Sequence, residues 1–105
     1  MKHMTKSDWQ AVLHIAIKNK LSMQNMTDNT KACKFATKRG YKLANNQGLP
    51  LLTWHQNIPV IIFIFRLHNG NDIAVFMPGQ IVYGKYGGMY LKTKPVNIVE
   101  INYEQ

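Results

Sequence analysis

The sequence has few acidic residues and a single cysteine, and both shortages weigh against common kinds of site. Five aspartates and glutamates stand against thirteen lysines and arginines, and Asp8, Asp28 and Asp72 lie where caps and turns use an acid. Metal-dependent nucleases and glycosidases need converging carboxylates, which this chain can hardly supply. With only Cys33, an internal disulfide and a cysteine-rich zinc site are excluded. We therefore expect neither a metal nor a cofactor.

Long hydrophobic runs and enzyme signature motifs are also missing. The longest apolar run, Pro59 to Phe65, is far below the roughly 18 residues that a membrane-spanning helix needs. The N-terminal residues lack the apolar stretch and cleavage site of a secretory signal. No phosphate-binding loop, dinucleotide fingerprint, zinc-protease motif or serine-hydrolase motif occurs. These features predict a protein without a membrane segment, and with the lone cysteine they favour a cytoplasmic location.

Positive charge is abundant and unevenly placed. Residues 1–42 carry nine lysines and arginines against two aspartates, whereas residues 43–105 carry four against three acids, so the first part holds +7 of the net charge of +8. Such a segregated field attracts polyanions and favours a nucleic acid (RNA or DNA) or an acidic protein as partner. At 105 residues and 46% hydrophobic content, the chain is predicted to form a single domain, residues 1–105.

Two helices are predicted in the first half of the chain. Apolar residues from about Asp8 to Ser22 recur at helical spacing, and Ser7 with Gln10 forms a plausible capping box. After a polar connection, a second helix is predicted from near Asn29. Gly40 either ends this helix or lies inside it.

The second half is predicted to form an antiparallel sheet of about five strands. Val60 to Leu67 is apolar throughout, as expected of a central strand buried on both faces. Asn69-Gly70 indicates a hairpin, and Gly87-Gly88 indicates another. The candidate strand segments are Leu51 to His55, Val60 to Leu67, Asp72 to Met77 (stopped by Pro78-Gly79), Gln80 to Tyr86, Met89 to Thr93 and Val96 to Tyr103. We therefore predict an α+β fold with both helices packed on one face of the sheet.

Two features of the sequence suggest a nucleic-acid interface. The second helix carries lysines at a spacing that places them within about 80° of arc: Lys31, Lys34, Lys38 and, if the helix continues past Gly40, Lys42. The segment from Tyr83 to Tyr90 combines aromatic residues with glycines and a lysine, which is typical of surfaces that stack single-stranded bases. The predicted binding residues are Lys31, Lys34, Lys38, Lys42, Lys85, Tyr86, Tyr90 and Lys92.

A second interpretation is a metal-independent ribonuclease toxin. Such an enzyme needs an acid, a base and cations, which histidine, lysine, arginine and tyrosine can provide. The candidate catalytic residues are His55, Arg66, His68, Tyr83 and Lys85. The order of two helices followed by an antiparallel sheet resembles the small ribonuclease toxins of the colicin and toxin–antitoxin type. No sequence motif of those toxins occurs, so the resemblance assigns no catalytic residue.

A further resemblance concerns residues 58–78. The run from Ile58 to Arg66, followed by Asn69-Gly70 and by Ile73 to Pro78, is similar to the core hairpin of phage and resolvase-like PD-(D/E)xK nucleases. That family's acids would lie upstream, but residues 29–57 contain no aspartate or glutamate. The resemblance therefore implies a member that binds rather than cuts. The leading prediction is a small basic nucleic-acid-binding protein. A phage-type inhibitor or adaptor that docks its basic face on an acidic protein or on a nucleic-acid enzyme is the third hypothesis.

Overall fold

The fold consists of two helices followed by an antiparallel sheet, as seen in a computed structural model that describes residues 4–19 and 29–101. The elements are α1 (Lys6–Asn19), α2 (Thr30–Lys38), β1 (Leu49–His55), β2 (Ile58–Arg66), β3 (Asp72–Tyr83), β4 (Met89–Thr93) and β5 (Asn97–Glu100). The predicted α+β class is confirmed. Neither described helix has the length and apolar character to cross a membrane.

The sheet is organised around β3, its longest strand. The order is β1-β2-β3-β4, and β5 also pairs with β3. β5 is paired with residues 73–76 of β3 and β4 with residues 79–83, so β4 and β5 follow one another along one edge. Between them, residues 94–96 lie opposite only residues 77 and 78 of β3, which makes a bulge. The β3–β4 hairpin consequently projects beyond the ends of β1 and β2.

The two helices cover opposite faces of the sheet, and the prediction of a single covered face is wrong. One core contains Trp9, Val12, Leu13 and Ala16 of α1 with Val60, Ile62, Ala74, Phe76 and Val99 of the sheet. The other contains Ala32 and Ala36 of α2 with Ile61, Phe63, Phe65, Leu67, Ile73, Val75 and Met77. Successive residues of a strand point to opposite faces, so a strand as apolar as β2 requires cover on both.

The ends of the helices differ in part from the predicted ones. The capping box of α1 is formed by Thr5 and Asp8, each accepting the other's backbone N–H at 3.2 and 2.9 Å, and not by Ser7 and Gln10. α2 ends at Lys38, and Gly40 follows with a φ of +90°, a conformation that favours glycine. The predicted end of the first helix at Ser22 and most of the connection after it lie outside the described residues.

Two turns decide how the strands follow one another. Asn69-Gly70 forms the predicted turn between β2 and β3, with Gly70 at a φ of +91°. The turn between β1 and β2 was not predicted, and its residues Gln56 and Asn57 have φ values of 52° and 66°. Positive φ at both positions suits a tight hairpin whose twist matches the strands.

The strand segments on either side of Pro78-Gly79 are one strand, β3, rather than two. Pro78 lies beside the bulge between β4 and β5, where the ladder on that edge is interrupted. A proline is tolerated at such a place because its missing N–H removes no ladder bond there. The last strand ends at Glu100, and its predicted end at Tyr103 lies outside the described residues.

Candidate functional site

The lysine ridge of α2 consists of Lys31, Lys34 and Lys38. All three side chains are exposed, and the opposite side of the helix is buried through Ala32 and Ala36. At about 1.5 Å of rise per residue, the ridge is roughly 10 Å long. It forms a row of exposed cations along one side of α2.

Lys42 does not belong to this ridge, because α2 ends before it. Its carbonyl oxygen accepts the backbone N–H of His68 at 3.0 Å, which ties Lys42 to the turn between β2 and β3. There it lines a groove beside that turn together with His68 and Glu100, so a carboxylate is present nearby. The structure therefore separates Lys42 from the other predicted phosphate contacts.

The basic groove lies where the start of α2 meets the end of β4. The Lys31 ammonium donates to the carbonyl oxygen of Thr93 at 3.5 Å, joining residues 62 positions apart. The groove, of about 560 Å³, is lined by Lys31, Ile58, Pro78, Gly79, Gln80, Lys92, Thr93, Lys94 and Val96. Three of these residues are lysines, and none of the carboxylates in the described ranges lines the groove. Lys31 and Lys92 were predicted as binding residues, whereas Lys94 was not.

The tyrosines of the β3–β4 hairpin are exposed to solvent. Tyr86, in the turn, is 93% exposed, and Tyr90, on β4, is 54% exposed. Pairing of Val82 with Tyr90 and of Tyr83 with Met89 places Tyr83 and Tyr90 on opposite faces. Tyr90 shares its face with Lys92, two residues or roughly 7 Å further along the strand. Lys85 is also exposed, in the turn beside Tyr86.

An apolar groove lies next to the basic one and was not predicted. It encloses about 130 Å³ and is lined by Leu52, Trp54, Pro59, Ile81, Met89, Tyr90 and Leu91. Trp54 is 51% exposed although it is a large aromatic residue. The sequence contains one signal for this groove. Trp54 follows Leu52 by two residues near the end of a strand, a spacing that places both side chains on one face of the sheet.

The five candidate catalytic residues do not come together. His55 adjoins the turn between β1 and β2, and Tyr83 and Lys85 belong to the projecting hairpin at that end. Arg66 and His68 lie at the opposite end of β2, about 26 Å or more away at roughly 3.3 Å per residue. Arg66 forms an ion pair with the buried carboxylate of Asp72. No single acid–base site can include all five residues.

Comparisons and metal-site geometry add no functional assignment. No family model, no curated protein and no solved structure matched this chain. Across residues 4–19 and 29–101, no three side chains of His, Cys, Asp or Glu come together in a group able to hold a metal ion. The resemblance of residues 58–78 to PD-(D/E)xK nucleases stays a prediction.

Proposed function

We propose that this protein binds nucleic acid through the basic groove and the lysine ridge. The observation that carries the proposal is that Lys31, Lys92 and Lys94 all line one groove, and that no carboxylate of the described residues lines it. Cations distributed along one groove with no acid among them create a positive field, which an anion can neutralise. A polyphosphate backbone does so and releases its counterions on binding.

The ridge and the start of α2 extend this positive surface. From Lys31 in the groove, the ridge continues through Lys34 to Lys38, which provides contacts for successive phosphates. The N-terminal end of a helix adds partial positive charge to the same region. Lysines act as point charges toward phosphates without reading bases, so this contact is independent of sequence.

Tyr90 gives the interface an aromatic residue beside its cations. It shares a strand face with Lys92, so a base stacked on its ring would lie next to a neutralised phosphate. This arrangement favours a single strand over a duplex, whose bases are already stacked. The free thiol of Cys33 suits the reducing cytoplasm as the place of binding.

A binding titration against RNA, single-stranded DNA and duplex DNA in EDTA tests the proposal. We expect the wild-type protein to bind without degrading the probe. The double variant Lys92→Glu/Lys94→Glu should lose binding, whereas Lys42→Glu, an exposed lysine outside the basic groove, should retain it.

Two outcomes would overturn the proposal. Degradation of RNA in EDTA by the wild-type protein would favour the metal-independent ribonuclease. If the wild-type protein binds none of the probes, the adaptor that docks its lysines on an acidic protein is favoured.

A further inference from the structure

We propose that the apolar groove receives an unpaired base of the strand whose phosphates occupy the basic groove, which makes the protein selective for single-stranded nucleic acid. This inference rests on the proposed function. It adds a base-binding site and names the residue at its centre, Trp54.

The first argument is that the two grooves share the same strands. Ile58, Gln80 and Lys92 line the basic groove, and each has a sequence neighbour, Pro59, Ile81 or Leu91, that lines the apolar groove. Neighbouring residues of a strand point to opposite faces, so these three residues of the basic groove lie on the other face of the sheet from the apolar groove. Gly79 and Thr93, which also line the basic groove, share the face of Ile81 and Leu91, so the basic groove includes both faces at the β4 edge.

The second argument is that Tyr90 connects the two grooves. Strand alternation places it on the face of Lys92, yet it also lines the apolar groove. In the described part of the chain, β4 is paired only with β3, so its other edge is the border between the grooves. A single strand that crosses this edge can leave its phosphates among the lysines and turn a base toward Trp54.

The third argument concerns the chemistry of the occupant. The lining of the groove is apolar and includes half-exposed Trp54 and exposed Met89, which offer a flat aromatic face and an adaptable thioether. Bases of single strands stack on aromatic side chains, whereas bases inside a duplex cannot reach them. Lysine is depleted at protein–protein interfaces, so three lysines beside the groove argue for a nucleic acid rather than a protein.

The test compares oligothymidine with an abasic oligomer of the same length, which carries the same phosphates without bases. We expect the wild-type protein to bind oligothymidine roughly 5- to 140-fold more tightly, the ratio that stacking of one base produces. Trp54→Ala should lower that ratio by the share that one stacked base contributes, while leaving the affinity for the abasic oligomer unchanged, and an unchanged ratio would overturn the inference. Leu49→Ala is the matched control, because Leu49 is a 70% exposed apolar residue of β1 outside the groove.

The outcomes separate this inference from the proposed function. Equal wild-type affinity for both oligomers would overturn base capture while leaving phosphate binding in place. Absence of binding to either oligomer would overturn the proposed function itself. If Trp54→Ala does not fold, the fluorescence of Trp54 in the wild-type protein decides. Oligothymidine should quench this fluorescence and the abasic oligomer should not. The change can be assigned to Trp54 because Trp9, the other tryptophan, is buried.

Discussion

The side chains that form the proposed interface are exposed, so single residues can be changed there with little effect on folding. An exposed lysine contributes little to the free energy of unfolding, because water and salt screen its charge. Substitutions at the interface should therefore change binding, whereas substitutions in the two cores should change stability. The ridge and the hairpin tyrosines can each be tested on this basis.

Replacing both Lys34 and Lys38 with glutamate should barely change the melting temperature. The two side chains point to solvent, while the buried side of α2 is formed by Ala32 and Ala36. Affinity for a single-stranded oligonucleotide should fall steeply, because two attractive contacts become repulsive. Thermal melting and fluorescence anisotropy measure the two effects. A normal melt with unchanged affinity would remove the ridge from the interface.

Replacing Tyr86 or Tyr90 with alanine should weaken binding of single strands by about 1–3 kcal/mol for each ring that stacks a base. The fold should be retained, because both residues are exposed and lie outside the two cores. Anisotropy titrations of each variant, with a melt as control, provide the measurement. Variants that melt earlier but bind normally would assign the tyrosines to stability instead.

At the scale of the elements, much of the architecture could be predicted from local patterns. The apolar run of β2 predicted a strand buried on both faces, and Asn69-Gly70 predicted the turn that follows it. Local sequence patterns could not predict whether the two helices cover the same face of the sheet. Each helix has one apolar side, and only the need to cover both faces of β2 sends α1 and α2 to opposite sides.

Alanine at Ile62 or at Phe63 should each cost about 2–5 kcal/mol of unfolding free energy. The two residues are neighbours in β2, but Ile62 belongs to the core under α1 and Phe63 to the core under α2. Both helices should therefore prove necessary for stability. Urea unfolding of both variants measures the cost, and an unchanged midpoint in either would mean that its face is not a packed core.

Alanine at Gly79 should destabilise the β3–β4 hairpin by about 1–3 kcal/mol, as overpacking does. A Cβ atom there would lie 2.7 Å from the carbonyl oxygen of Lys92 and closer still to the Thr93 side chain. Gly88→Ala is the control, because a Cβ at Gly88 meets nothing within 4 Å. Thermal melting compares the two, and equal melting temperatures would show that β4 does not pack closely on β3.

At the scale of the whole molecule, the candidate site depends on contacts that no local pattern contains. Lys31 and Lys92 were predicted separately, but they line one groove only because β4 ends beside the start of α2. Lys94 and Trp54 were missed for the same reason, since their role arises from grooves between distant segments. Lys42 was grouped with the ridge by spacing, and the end of α2 at Lys38 separates it.

The salt dependence of binding tests the central claim, that phosphates lie in the basic groove. For a single strand, the logarithm of the binding constant falls with the logarithm of salt concentration by about 0.7 for each phosphate neutralised. The double variant Lys92→Ala/Lys94→Ala should therefore lower the magnitude of the slope by about 1.4, and Lys42→Ala should leave it at the wild-type value. An identical slope for all three proteins would contradict the account.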